Sequence, residues 1–102
     1  MYYLYILYSL STDKYYVGIT TDINKRLVKH NYQEDFSTYT RKGRPWDVQA
    51  LFLVGQSEAT ALKLERYIKK QKSRRLIEQL CNDTVTPIGL LAQLVRVPYI
   101  RD

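Results

Sequence analysis

Tyr2-Tyr3-Leu4-Tyr5-Ile6-Leu7-Tyr8 and Tyr15-Tyr16-Val17-Gly18-Ile19, separated by Ser9–Lys14, are the stretches whose reading decides the fold. Aromatic and aliphatic residues throughout both runs favour extended backbone. The Ser, Thr and Asp between them supply turn chemistry, so the runs are expected to pair as an antiparallel hairpin. Side chains alternate along a strand. Tyr3, Tyr5 and Leu7 therefore share one face and Leu4, Ile6 and Tyr8 the other, while Tyr16 shares a face with Gly18. A register that sets Tyr5 opposite or diagonal to Tyr16–Gly18 brings the Tyr5 and Tyr16 hydroxyls over one patch. Gly18, closing its strand, permits close approach of another segment or a ligand.

Outward from the hairpin the pattern turns helical. Thr21 or Asp22 caps a helix running to about Tyr32, with Ile23, Leu27 and Val28 as its apolar stripe. Phe36–Trp46 reads as a polar, basic loop broken by Gly43 and Pro45, and Val48–Gly55 as a third strand. Ser57 caps a helix through about Gln71, and Ser73 a shorter one through about Cys81. The expected fold is α+β: a three-stranded antiparallel sheet flanked by three helices, one domain over residues 1–82. Residues 83–102 are set apart as a C-terminal tail, apolar enough over Ile88–Val97 for a short docked helix and expected to be dispensable for chemistry.

A 102-residue chain with 45% apolar and 13% aromatic residues can build a core of its own. Sixteen Lys and Arg against ten Asp and Glu leave a net charge of +6. That balance favours polyanionic partners, nucleic acid or an anionic membrane surface, although it also suits an ordinary solvated exterior. Met1–Leu10 is too short and lacks the leading cations of a signal peptide or membrane span, so no membrane role is expected. Cys81 is the single cysteine, which excludes an intrachain disulfide and points to a cytoplasmic setting.

Four residue types carry the candidate chemistry. Tyr5 and Tyr16 are strand tyrosines of the kind that mostly pack, but a pair of hydroxyls on one patch can surround a reacting group. Arg26 offers a planar fork that grips phosphate bidentately, or is simply a solvated member of Lys25-Arg26. His30, four residues on and the only histidine, suits proton transfer or a phosphate contact. Glu65 falls at the edge of its helix's apolar face, as an i,i+4 partner for Lys69 or as an anion tucked against the sheet. Two basic runs flank these positions: Lys69, Lys70, Lys72, Arg74 and Arg75 across a helix break, and Arg41, Lys42 and Arg44 beside Tyr39 and Trp46. Cations next to ring faces suit backbone grip and base stacking.

Taken in order, Tyr3-Leu4-Tyr5, Tyr16-Val17-Gly18, Arg26, His30 and Glu65 resemble the GIY-YIG endonuclease superfamily over roughly residues 2–82. The likeness is to its small stand-alone bacterial branch and to the N-terminal nuclease domain of the excision-repair excinuclease C subunit. The resemblance implies that Tyr5 and Tyr16 surround the attacking water and the scissile phosphate. It implies that Arg26 holds that phosphate, and that Glu65 binds a single Mg2+ or Mn2+. Gly18 matches the end of the second motif, whereas Tyr3 replaces the glycine of the first. The implied activity is metal-dependent hydrolysis of DNA, in a setting of repair or recombination. A nucleic-acid-binding module that keeps the fold without useful turnover is the alternative. Larger relatives carry extra domains that choose the target. In 102 residues substrate choice is instead expected from the 36–46 loop, the basic helices, DNA shape or a targeting partner protein.

Overall fold

A computed structural model of the chain describes residues 1–33 and 38–99. Strands β1 (Tyr2–Ser9) and β2 (Lys14–Thr20) form the expected hairpin. Strand β3 (Trp46–Gly55) pairs with the other side of β1, and a two-residue strand β4 (Val95–Arg96) pairs with β3. The sheet is antiparallel throughout, in the order β2-β1-β3-β4. Around it stand helices α1 (Ile23–Tyr32), α2 (Thr38–Lys42), α3 (Glu58–Gln71) and α4 (Arg74–Cys81), with a 3-10 turn at Gly89–Gln93.

The class is α+β, but the described residues hold four strands and four α-helices where three of each were expected. Both additions are short. Helix α2 spans five residues inside the basic segment read as a loop, and β4 spans two, so neither is long enough for its pattern to repeat. Residues 36–37 of that expected loop lie outside the described residues.

The helix starts follow the capping chemistry of the sequence. The side chains of Asp22, Ser57 and Ser73 accept the backbone N–H groups of Lys25, Thr60 and Leu76, each at 3.1 Å. Of the expected stripe on α1, Ile23 and Leu27 pack against the sheet, but Val28 is exposed. His30, four residues beyond Arg26, is the α1 residue that is fully buried.

Strand alternation divides the core into two layers. Leu4, Ile6, Val17, Ala50 and Phe52 meet Leu64 and Ile68 of α3 and Leu80 of α4 on one face. Tyr5, Leu7, Trp46 and Leu51 occupy the other, beneath α1. Tyr3, where the family motif has glycine, is half-buried on this second face. The tail joins both layers. Leu91 and Leu94 complete the first cluster, and Val97 and Tyr99 pack on the second. The backbone N–H of Val97 donates to the Leu51 carbonyl at 2.8 Å, and Arg96 donates to the Leu80 carbonyl at 2.8 Å with its guanidinium 4.8 Å from the Phe52 ring centroid. Each buried leucine of this kind contributes about 1.5–3 kcal/mol.

Candidate active site

The site forms where the second sheet face meets α1 and the β2 edge. Tyr5 pairs with Gly18 across the hairpin, so its side chain lies over the one residue in β2 that has none. A Cβ placed on Gly18 would sit 2.4 Å from the Tyr5 hydroxyl oxygen and 2.5 Å from Cζ. Glycine is therefore a steric requirement of the Tyr5 position rather than a feature of strand ending. The ring is 1% exposed, and its hydroxyl stands 2.9 Å from His30 Nε2. Tyr16 stacks near it, with centroids 6.3 Å apart and planes 23° apart, and meets the His30 imidazole edge-on at 4.6 Å.

Burial and charge set the protonation states. Burial raises the Tyr5 phenol well above its ordinary range, Tyr16 and Glu65 add to this, and the adjacent Arg26 guanidinium opposes it. Tyr16 is raised too, first by burial and then by Glu65, again against Arg26. Burial, with Arg26 and Arg44, lowers His30 to about 4. The imidazole is thus neutral at neutral pH, and the Tyr5 hydroxyl and Nε2 share one proton. Glu65 is partly buried, with 17% of its side chain exposed, and Lys69 Nζ lies 3.7 Å from its carboxylate and 5.4 Å from the Tyr16 ring centroid. Glu65 is thus the i,i+4 partner of Lys69, and its charge also acts on the two tyrosines. Tyr5, Tyr16, Arg26, His30 and Glu65 are brought into one electrostatic neighbourhood from β1, β2, α1 and α3.

A second layer holds them. Asn31 donates to the Trp46 carbonyl at 3.1 Å and accepts the Trp46 N–H at 2.6 Å, while the Trp46 indole donates to the Thr40 carbonyl at 2.7 Å. Trp46 is 1% exposed, so it is core and not the stacking platform the sequence suggested. Gly43 makes room for it, since a Cβ there would lie 2.2 Å from the indole. Arg44 also departs from the expected phosphate role. Its Nε donates to the His30 carbonyl at 2.7 Å and a terminal nitrogen donates to the Gln33 carbonyl, which satisfies the open end of α1. These residues went unnoticed as site scaffolding because their partners lie 6 to 15 positions away.

The other basic run divides similarly. Arg74 donates to the Asp13 carbonyl at 2.8 Å and its carboxylate at 2.6 Å, pairs with Glu78 at 3.6 Å, and lies over the Tyr15 ring. It ties α4 to the hairpin turn. Lys70, Lys72 and Arg75 are exposed, as are Arg41 and Lys42 on α2.

Among the described residues no group of three or more His, Cys, Asp or Glu is assembled to hold a metal, and no helix is long and apolar enough to cross a membrane. Glu65 is the carboxylate that acts on both tyrosines. A single carboxylate of this kind suits a hard cation that keeps most of its water shell, and does not suit a site closed by protein ligands. No curated protein matches the chain. The family model described as the GIY-YIG catalytic domain matches residues 1–78, a span that includes every residue of the cluster. The chain belongs to the GIY-YIG nuclease superfamily.

Proposed function

We propose that this domain is an endonuclease that hydrolyses DNA phosphodiester bonds with one divalent cation, Mg2+ or Mn2+. The observation that carries the reading is the Tyr5 hydroxyl, seated over Gly18 and bonded to a neutral His30, with Arg26 and Glu65 acting on it. A cation held by Glu65 would supply charge neutralisation at the scissile phosphate.

The protein groups do the rest. A phenol raised by burial is a poor base if it must ionise outright. Tyr5 avoids that by taking a proton from the attacking water while passing its own to His30 Nε2, 2.9 Å away. The low His30 pKa opposes this step in the free protein. A phosphate dianion developing beside the ring favours the imidazolium and reduces the opposition. Arg26, which already offsets the Tyr5 and Tyr16 phenols, holds the phosphate and its growing charge. Tyr16, stacked on Tyr5 and in edge contact with His30, supports the ring geometry, and its phenol feels the same Glu65 and Arg26 charges.

The test is incubation of end-labelled DNA with Mg2+, Mn2+ or a chelator. Cleavage is expected with either metal and none with the chelator. Glu65→Gln should lose on the order of 10²-fold or more in rate while still binding DNA. Full activity in folded Glu65→Gln would remove the metal assignment, and binding without cleavage in the wild type would leave a nucleic-acid-binding module.

A further inference from the structure

A cleft of about 360 Å3 opens along the outer edge of β2, one residue from Tyr16. Its floor is apolar, from Ile68 and Ile77, and its walls carry Lys14, Tyr15, Tyr39, Lys69, Lys72 and Arg74. Two rings and four cations meet here; Asp13 is the one carboxylate in the lining, while Glu65 and Glu78 pair with Lys69 and Arg74 from outside it. None of this belongs to the cluster that performs the chemistry, yet Lys69 lines the cleft and also contacts Glu65 and the Tyr16 ring. The two sites are continuous.

The walls are held in place. The Tyr39 hydroxyl donates to the Tyr15 carbonyl on the strand at 2.9 Å, and its ring stacks on Trp46 at 5.9 Å and 28°. It nevertheless remains 45% exposed. Lys14 Nζ lies 5.9 Å from the Tyr39 ring centroid, and Arg74 is pinned by Asp13 with its guanidinium 5.2 Å from the Tyr15 centroid. A fixed exposed ring beside a fixed guanidinium plane is a stacking surface. The flanking ammonium groups of Lys14, Lys69 and Lys72 suit the phosphates on either side of a stacked base.

We propose that this cleft receives one unpaired nucleotide next to the scissile phosphate, so that the preferred substrate is DNA with a single-stranded segment at the cut and not continuous duplex. The inference rests on the nuclease reading for what lies beside the cleft, and the binding chemistry stands on the cleft itself. In a duplex the bases are stacked inward and present only phosphates to a concave wall. A base reaches Tyr39 only after it has left the stack, which costs little where it has no partner. The cleft has room for one nucleotide and not for a helix.

The experiment measures binding in a chelator, so that cleavage plays no part. Duplex and duplex with a single-stranded flap are compared, with the fluorescent base 2-aminopurine moved through the unpaired positions. The flap is expected to bind about tenfold tighter, with one position quenched by stacking. An abasic sugar at that position should erase the preference. Tyr39→Leu should erase it as well, while Tyr39→Phe, which keeps the ring and loses only the tether to β2, should retain it. Lys72→Asn removes a cation at a left-handed position (φ 48°) that asparagine tolerates, and should weaken flap binding severalfold. Equal affinity for flap and duplex, or indifference to the abasic sugar, overturns the proposal. If base-dependent binding holds but Mg2+ brings no cleavage, the cleft stands and the nuclease reading falls. Cleavage of duplex with no effect of the base gives the reverse.

Discussion

Adding one methyl group to Gly18 is the sharpest probe of how this site is built. The Cβ of Gly18→Ala would lie 2.4 Å from the Tyr5 hydroxyl oxygen and 2.5 Å from Cζ, so the ring must retreat by about 1 Å to reach ordinary contact. Tyr5 is enclosed and 1% exposed, which leaves the displacement to be shared with the strand. Overpacking of this kind costs about 1–3 kcal/mol, partly offset by the roughly 0.5–1 kcal/mol that alanine recovers over glycine inside a strand. For a domain of this size a net loss near 1 kcal/mol lowers Tm by about 4–8 °C. The chemical loss should be larger, because the same shift breaks the 2.9 Å contact with His30. A misplacement of about 1 Å at a reacting group costs on the order of 10²-fold in rate. The assay is a double-mutant cycle, with thermal unfolding and DNA cleavage measured for Gly18→Ala alone and in a Tyr5→Ala background. The methyl should destabilise the wild-type background and be neutral or stabilising once the Tyr5 ring is gone. An equal stability cost in both backgrounds, or full cleavage by Gly18→Ala, would refute the argument that Gly18 exists to seat Tyr5.

The remaining expectations concern charge, pH and the tail. Arg26→Ala should lose turnover more than affinity, and Arg26→Lys should recover only part, because an ammonium cannot form the fork; a pure binding defect would make Arg26 an ordinary phosphate contact. His30 has a folded pKa of about 4, below the ordinary 6.5, so the unfolded chain binds the extra proton between those values and stability falls as pH drops from about 6.5 toward 4. Since His30 is the only histidine, His30→Gln should show a smaller Tm difference between pH 7.5 and 5 than wild type, and an unchanged difference would deny the burial argument. Leu94→Ala should cost about 2–5 kcal/mol, read by chemical denaturation, because Leu94 is 5% exposed in the main cluster. A loss below 0.5 kcal/mol would show the tail is not part of the core.

What could be read in advance was whatever repeats or caps. The hairpin, the sharing of a face by Tyr5, Tyr16 and Gly18, and the caps at Asp22, Ser57 and Ser73 all follow from period and local chemistry. The helical wheel likewise set Glu65 at the edge of the apolar face, where its side chain is 17% exposed. Residues whose use depends on a distant partner were not legible. Arg44 and Arg74 look alike in a basic run, yet one closes the end of α1 and the other grips the β-turn through Asp13. Trp46 looked like a surface ring because its neighbours are polar, and only the room left by Gly43 explains its burial. The tail was legible only as an apolar stretch able to dock. Its leucines carry no period of their own because they fill gaps left by other elements.

That filling has a consequence for synthesis. Leu4 and Ile6 of the central strand share a cluster with Leu91 and Leu94, which lie at the far end of the sequence. Translation at about 5–20 residues per second puts on the order of 5–20 s between the two. The β1–β2 hairpin can close within about 10 μs of leaving the ribosome. A nascent chain therefore carries a hairpin whose apolar face is bare until α3 and α4 have been made, and only partly roofed from then until Leu91 and Leu94 arrive. During that interval it presents aliphatic strand surface of the kind that chaperones bind.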